Sequence, residues 1–482
     1  MAESLKERTA KGLFWGTLNS STTQVLNLAM GIVLARLLSP EDYGLVGVLT
    51  IFSAVAAMLQ SSGLGTGLIN LKHPTANDYN AVFWFNVIVS AILYSILFLC
   101  APLIADFFHQ PRLIPLSRIL FLTLPLSALS ATSGNYLQKN MMNREIAIIG
   151  ITSLIFSGTT AVVMASLGYS YWSLVGQQLV YAVAILIGRG IYVNWKPNLR
   201  IDFTPVKRMF GFCMKLLVTN LVNVINFHVL TFIFGRLLPI QTVGYYSQAN
   251  KWNNMAKTTI ADAIGQVAQP VLVSVTDESD REWRVFRKMM RFTALLSFPA
   301  LFGLALIAPE FIIISIGEKW TESIPLLRII CIGGAFMPFY TLYQNLAISH
   351  ERSDIYMWCN IGQMIVQIAL VLILYPYGIL TIVWGSTLLT IAWLVVWQVC
   401  VGRRIVHLHF IDFLKDIVPF MVISLAVMVA TYLITPGISN MCLLLVMRIL
   451  IAAVLYVAAM KFTHAKVMEE CVTFVKEKFL KR

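Results

Sequence analysis

The sequence predicts an all-α polytopic membrane protein of fourteen transmembrane helices, and three observations lead there. Of 482 residues, 58% are apolar and only 12% charged, with a mean hydropathy of +0.76, whereas about a quarter of a soluble domain is charged. Apolar runs between short loops repeatedly reach the roughly 20 residues needed to cross hydrocarbon. Basic residues alternate between loops, rich on one side and sparse on the other.

In chain order the runs are 13–34, 44–67, 81–104, 114–138, 146–168, 171–192, 211–235, 243–275, 290–316, 323–348, 354–375, 378–400, 413–433 and 441–461. Lys6, Arg8 and Lys11 precede the first run. No small-residue cleavage pattern follows a short apolar core, so this run is expected to stay as a helix. The loops GYSY at 168–171 and YPYG at 375–378 are short enough to force antiparallel neighbours. The run 243–275 is too long and too polar for a simple rod, which predicts a bend, a tilt or an extension past the bilayer. After the last run, Met468, Cys471, Val472, Val475 and Phe479 share one helical face among lysines. That pattern suits an amphipathic helix on the membrane surface, with a solvated tail as the plain alternative.

With the N-terminus inside, 26 Lys and Arg fall in cytoplasmic segments and 5 in the outer loops and their edges. This asymmetry predicts cytoplasmic N- and C-termini and an even number of spans. It also accounts for the net charge of +13 without nucleic acid as a partner. The seven cysteines, Cys100, Cys213, Cys331, Cys359, Cys400, Cys442 and Cys471, are scattered with no CxxC, and read as small apolar residues rather than disulfides or metal ligands.

A short repeat organises the spans. VLARLLSPEDYG places Arg36 and Gly44 where IFGRLLPIQTVG places Arg236 and Gly244, an offset of 200 in both. Spans 1 and 7 both start inside, so the halves are parallel repeats related by an axis near the membrane normal. The expected domains are a six-helix bundle over 1–192, a cytoplasmic linker over 193–210, a second six-helix bundle over 211–400, accessory helices 13 and 14 over 401–461, and a cytoplasmic tail over 462–482.

Polar residues inside spans are costly in hydrocarbon and mark functional candidates. Span 1 carries Asn19, Thr23 and Asn27 at spacing four, with Gln24 beside them, and span 7 carries Asn220, Asn223 and Asn226 at spacing three. Each set forms one polar stripe. The stripes line a shared cavity, or they fasten helices together. Lys251, with Asn254 nearby, is the most central cation; Lys215 and Lys257 are further candidates, Lys215 lying close enough to the helix end to snorkel. Arg328 and Arg448 are basic residues within spans that can reach the headgroups. Arg36 and Arg236 end spans 1 and 7, where the helix dipole and outer headgroup phosphates account for them; contact with a departing anionic substrate, or gating, is the functional alternative. Asp262 is the acid well inside a span and the candidate for ion coupling.

Enzymatic readings find little support. No GxxxxGK[ST], HExxH or GxSxG occurs, and Glu41 and Asp42 are adjacent acids without a metal-site pattern. No cofactor or metal is expected. GLGTG at 63–67 sits in a membrane context without strand–turn–helix, so helix packing or a helix break explains it better than a nucleotide.

The opening KGLFWGTLNSSTTQVLNLAMGIVLARLLSPEDYGLVGVLTIFSAVAAMLQSSGLGTGLI resembles the polysaccharide export flippases of the multidrug/oligosaccharidyl-lipid/polysaccharide exporter superfamily, in particular the Wzx-type lipopolysaccharide, teichuronic acid and colanic acid branch. RLLSPEDYG, Arg36 to Gly44, followed by GLGTGLI is the most specific piece, and GYYSQANKWNNM from Gly244 to Met255 resembles the corresponding segment of the second half. The resemblance implies a V-shaped, alternating-access transporter in the bacterial inner membrane. Its substrate would be an undecaprenyl-pyrophosphate-linked oligosaccharide, with Lys251, Lys215 and Lys257 as candidates for the pyrophosphate. Its partners would be membrane lipids, and a polysaccharide polymerase and glycosyltransferases of the same pathway. The drug-export branch often carries carboxylates in its first or seventh helix; here no acid lies between Lys11 and Leu34 or between Gly211 and Gly235. Cation-coupled drug export and a membrane glycosyltransferase or polymerase stand as the alternatives.

Overall fold

A computed structural model describes residues 5–199 and 201–463, without the side chains of 5–14, 17, 212, 215, 216, 219 and 353. The amphipathic segment expected over 462–482 falls almost wholly outside the described residues. Among those described, every regular element is helical. Twelve helices are long and apolar enough to cross a membrane. The expected spans 1 and 8 are also helices, Leu5–Leu37 and Ile240–Val273, but are not among the twelve. They carry the polar runs that lower their hydropathy.

Contacts divide the chain into two units, Met1–Gly244 and Tyr245–Arg482. The first contains α1 (Leu5–Leu37), α2 (Pro40–Ser61), α3 (Leu64–Asn70), α4 (Ala76–Phe108), α5 (Leu113–Leu120), α6 (Thr123–Lys139), α7 (Asn143–Ser166), α8 (Trp172–Tyr192) and α9 (Thr204–Leu237). The division does not coincide with the linker 193–210, because α9 packs on α2, α3 and α4.

Local chemistry explains the breaks in this unit. Ser39 and Thr75 start α2 and α4 with matching capping boxes, in which Asp42 and Asp78 accept from the cap backbone while their own N–H groups donate to the cap hydroxyls. The GLGTG run breaks one span into α2 and α3: Gly63 has φ +69°, and a Cβ there would lie 2.9 Å from the Cys213 carbonyl oxygen of α9. Lys139 Nζ donates to the carbonyls of Ile69, at 2.7 Å, and Leu71, satisfying the end of α3. The segment after α8 is tied to α4: Asn198 N donates to Asn80 Oδ1 at 2.8 Å, and Trp84 Nε1 to the Asn198 carbonyl at 2.7 Å. Asn77 donates to Asp202. Hydrogen bonds from Thr204, then Asn77, hold the Asp202 carboxyl below its usual range.

The repeated motif meets itself. A Cβ on Gly44 would stand 2.0 Å from the carbonyl oxygen of Ile240, and one on Gly244 would stand 1.8 Å from that of Pro40. Pro40 and Ile240 are equivalent at the offset of 200, so the contact is reciprocal, as a local two-fold axis requires.

The second unit contains α10 (Ile240–Val273, from Tyr245 on), α11 (Ser279–Leu306), α12 (Ala308–Ile316), α13 (Ser323–Gly334), α14 (Met337–Ser349), α15 (Ser353–Leu374), α16 (Ile379–Trp397), the short α17 (Arg403–Ile405) after a π-helical turn, α18 (Phe410–Ile434) and α19 (Met441–Phe462). The expected accessory helices are α18 and α19, which pack on α11 and α12. Two buried ionic clusters hold them. Asp416, 1% exposed, accepts from Arg287 Nε at 2.6 Å and Nη2 at 3.0 Å, and from Arg291 Nε at 2.5 Å. Arg448 donates to Glu310 at 2.6 Å and to Thr435 at 3.2 Å, and lies over the Tyr432 ring. The sequence reading of Arg448 as a headgroup-seeking residue is thereby corrected: its acid lies 138 positions away, and pairing in the interior removes the need to reach water.

Gly244→Ala is expected to lower the melting temperature in detergent, since overpacking against a fixed carbonyl costs about 1–3 kcal/mol, whereas Gly190→Ala, with nothing within 4 Å of the added Cβ, should not. Arg448→Met strands a buried carboxylate, with an expected cost of about 3–5 kcal/mol that the double change Arg448→Met with Glu310→Leu largely recovers; thermal unfolding of the three variants checks this.

Candidate functional site: a polar cavity in the first unit

A cavity of about 1260 Å³ lies within the first unit, walled by α1, α2, α6, α7 and α8 with Leu120 at the end of α5. Each wall follows from a polar or small-residue stripe. From α1 come Asn19, Thr23 and Asn27. Thr123, Ser127, Ser130, Gly134 and Gln138 recur every three or four residues along α6, as do Gln178, Ala182, Ile185 and Arg189 along α8. Small residues on α7 let α1 approach: a Cβ on Gly158 would lie 2.7 Å from Met30 Sδ, and one on Gly150 would lie 3.5 Å from Asn19 Oδ1.

The wall is polar but nearly uncharged. Among the described residues it contains eight amide side chains (Asn19, Asn27, Gln60, Asn135, Gln138, Asn143, Gln177 and Gln178), eight hydroxyls, no carboxylate and one cation, Arg189. Some groups are engaged: buried Gln60 lies against Ser127 at 3.3 Å, and Thr50 is 3.4 Å from His228 Nδ1 of α9. Others are not: Asn19 Oδ1 and Ser53 Oγ are buried without a hydrogen-bond partner among the described residues. Buried polar atoms are rarely left unpaired unless they serve a function or bind an unseen molecule. The arrangement can hydrogen-bond a large neutral polyol as both donor and acceptor, since amides and hydroxyls offer both roles.

The cavity brings together three of the residues singled out in the sequence, Asn19, Thr23 and Asn27. It does not include Asn220, Asn223 or Asn226, which lie on α9, the first exposed and the others half-buried. The Lys215 side chain lies outside the described residues. Lys251 and Lys257 are half-buried on α10; Lys251 Nζ sits 5.4 Å from the Trp252 ring centroid, and Lys257 lies near the Cys331 thiol. Their helix also holds Ser247, Gln248, Trp252, Asn253 and Asn254, each with a buried polar atom that has no hydrogen-bond partner among the described residues. Arg36 is exposed, and Arg236 bonds to His109 and lies 5.2 Å from the Phe107 ring. Asp262 is exposed on α10.

Arg189, which the sequence did not single out, belongs to the last turn of α8 and lines the cavity. Helical side chains lean toward the helix N-terminus, so a long one near the C-terminal end reaches back into the bundle. The amides of α6 and α8 were also missed; their helical spacing was the available signal, diluted by apolar neighbours.

Among the described residues the fold is all-helical, with twelve helices long and apolar enough to cross a membrane and a polar cavity in the first unit, an architecture that suits a transporter. Comparison with known proteins is more specific. The profile of the family described as "Polysaccharide biosynthesis protein" matches residues 33–325, and the chain belongs to that family, within the multidrug/oligosaccharidyl-lipid/polysaccharide exporter superfamily. It is 26% identical over 361 residues to the lipopolysaccharide biosynthesis protein WzxC of Escherichia coli, covering 73% of this chain and 72% of that one. It is 22% identical over 392 residues to the teichuronic acid biosynthesis protein TuaB of Bacillus subtilis, covering 81% and 80%. Its fold is similar to that of the lipid II flippase MurJ in an inward closed conformation, with a TM-score of 0.74 at 16% identity over 94% of this chain and 100% of that chain. A MATE family multidrug transporter follows at 0.63 and 14% identity, over 79% and 95%. Family membership makes the chain a polysaccharide-export-type transporter and not an enzyme.

Proposed function

We propose that this protein moves a polyprenyl-pyrophosphate-linked oligosaccharide from the cytoplasmic to the periplasmic leaflet by alternating access, for synthesis of a cell-surface polysaccharide or lipopolysaccharide. The observation that carries this reading is the cavity wall of amides and hydroxyls, without a carboxylate among the described residues. Sugar hydroxyls need paired donors and acceptors, which that wall offers, whereas a cationic drug would need an acid. The relatives named for lipopolysaccharide and teichuronic acid biosynthesis support the same substrate class. In this reading the prenyl tail stays in lipid while the glycan enters the cavity.

Asn19, Thr23 and Asn27 then bind sugar. Asn220, Asn223 and Asn226 on α9, with Lys251, Asn254, Lys257 and Lys215, make a second set of contacts, the lysines meeting the pyrophosphate. Arg36 and Arg236 contact headgroups or leaving substrate, and Asp262 serves ion coupling. The chain has fourteen spans with both termini cytoplasmic in a bacterial inner membrane, in two parallel bundles over 1–192 and 211–400 with accessory helices over 401–461. A polymerase and glycosyltransferases of the pathway are its partners.

In proteoliposomes, the protein should translocate a labelled polyprenyl-pyrophosphate oligosaccharide. Asn19→Leu with Thr23→Val and Asn27→Leu should slow it at least about tenfold, as expected for losing several neutral hydrogen bonds. No translocation by the wild type would sink the reading; cation-dependent dye efflux instead would favour drug export, and full transport by Lys251→Ala would remove the lysine from its role. A phosphatase fused to the C-terminus should be inactive in cells, as a cytoplasmic terminus requires.

A further inference from the structure

The contact between α2 and α9 contains a titratable group that no described acid faces. Thr50 Oγ1 of α2 donates to the Gly47 carbonyl at 2.6 Å and lies 3.4 Å from His228 Nδ1 of α9. A hydroxyl has one hydrogen and the shorter bond takes it, so Nδ1 carries the imidazole proton and donates to Oγ1. Nε2 is then left with a lone pair, and it forms no hydrogen bond with described residues.

α9 packs mainly on α2, α3 and α4. Beyond Tyr43, α2 has no titratable residue; α3 has none; and α4 between Asp78 and Asp106 has only Tyr79, Tyr94 and Cys100. On α9 itself, Lys207, Arg208, Cys213 and Lys215 lie at least about three turns before His228, and Arg236 roughly two turns after it, where it meets His109. The rest of the contact is apolar. Phe52 meets Phe232 edge-on at 5.9 Å, and Gly235 lies against Val48 with no room for a side chain. An imidazolium here would be a charge among aromatic and aliphatic groups, with Thr50 as its one described acceptor. Such a charge is costly until water reaches it. Water has a way in, because Thr50 and Ser53 line the cavity, and the Ser53 hydroxyl is buried without a described partner. A donor to Thr50 alone could be a glutamine, which cannot take a proton; a histidine can, within the physiological range.

We infer that His228 is a proton-binding site set into the α2–α9 contact, where a proton added at Nε2 parts the two helices and its loss lets them close. No other bond changes: the proton comes from water on the cavity side and returns to it. The inference goes beyond the transport reading by naming what opens this seam, and it does not depend on what the cavity carries.

The test is backbone hydrogen–deuterium exchange, read by mass spectrometry on the full-length protein in lipid nanodiscs. After scaling for the intrinsic rate, wild-type peptides of α2 and α9 should exchange at least about threefold faster at about pH 5 than at about pH 8, while those of α18 and α19 stay level. H228Q keeps a donor for Thr50 but cannot be protonated, and should exchange slowly at both pH values. H228R carries a permanent charge and should exchange fast at both. H109Q, at the other histidine contact of α9, should keep the wild-type response. A level wild type, a response that survives in H228Q or is lost in H109Q, or slow exchange in H228R overturns the inference; the wild-type and H109Q arms decide it even where H228Q does not fold. Because exchange is read without cargo, a protein that opens on acidification but moves no glycan refutes the transport reading alone, and one that transports with a level exchange profile refutes this one alone.

Discussion

The carbonyl oxygens of Pro40 and Ile240 occupy the space that side chains on Gly244 and Gly44 would need. Two helices can approach this closely only where both lack a Cβ and both start at the same height, and the second condition explains the residues around the glycines. In the first copy, Ser39 and Asp42 close a capping box that starts α2 at Pro40; in the second, Pro239 stands immediately before the first residue of α10. Different local chemistry thus reaches the same starting point, and what the copies share is the glycine four residues later. The constraint reaches back along the chain, because α1 and α9 end just before these starts and carry the asparagine stripes. A register slip in either helix would rotate its stripe by about 100° per residue.

The interior polar groups are handled in two ways. In the second unit, charges that hold α18 and α19 to α11 and α12 are neutralised in place, Asp416 by two arginines and Glu310 by Arg448. Such pairs resist solvation changes and act as fasteners, with little net stabilisation over an apolar equivalent. In the first unit the polar groups on α1, α6 and α8 turn toward a shared space, where Asn19 Oδ1 has no hydrogen-bond partner among the described residues, and α10 of the second unit holds such atoms on Ser247, Gln248, Asn253 and Asn254. Fasteners saturate one another; a binding surface keeps donors and acceptors in reserve.

The membrane class, most helix positions and the repeat were legible in the sequence because hydropathy and loop charge act over whole segments. The break between α2 and α3 at Ser62 and Gly63 showed in the GLGTG run, whereas the parting of α5 and α6 near Phe121 and Leu122 did not, since a helix interruption one or two residues long barely alters a 20-residue average. Of the cavity, the wall from α1 was legible, as Asn19, Thr23 and Asn27 form a stripe dense enough to stand out. The walls from α6 and α8 were not, because their polar residues are diluted by leucine, isoleucine and alanine. Arg189 was not singled out for a further reason: charge counting assigns a residue by its backbone position, while a long side chain at a helix end acts several ångströms away. The partners of Arg448 and Asp416 lie more than a hundred residues distant, beyond what spacing within a helix can reveal.

The charge on the cavity wall also bears on how transport is driven. A guanidinium keeps its proton at any physiological pH, and among the described residues no carboxylate lines the cavity, so the charge of the described wall does not change over that range. Glu310 and Asp416 are committed to arginines, and Asp42 and Asp78 are committed to helix caps. Asp262, exposed on α10, is not committed in this way.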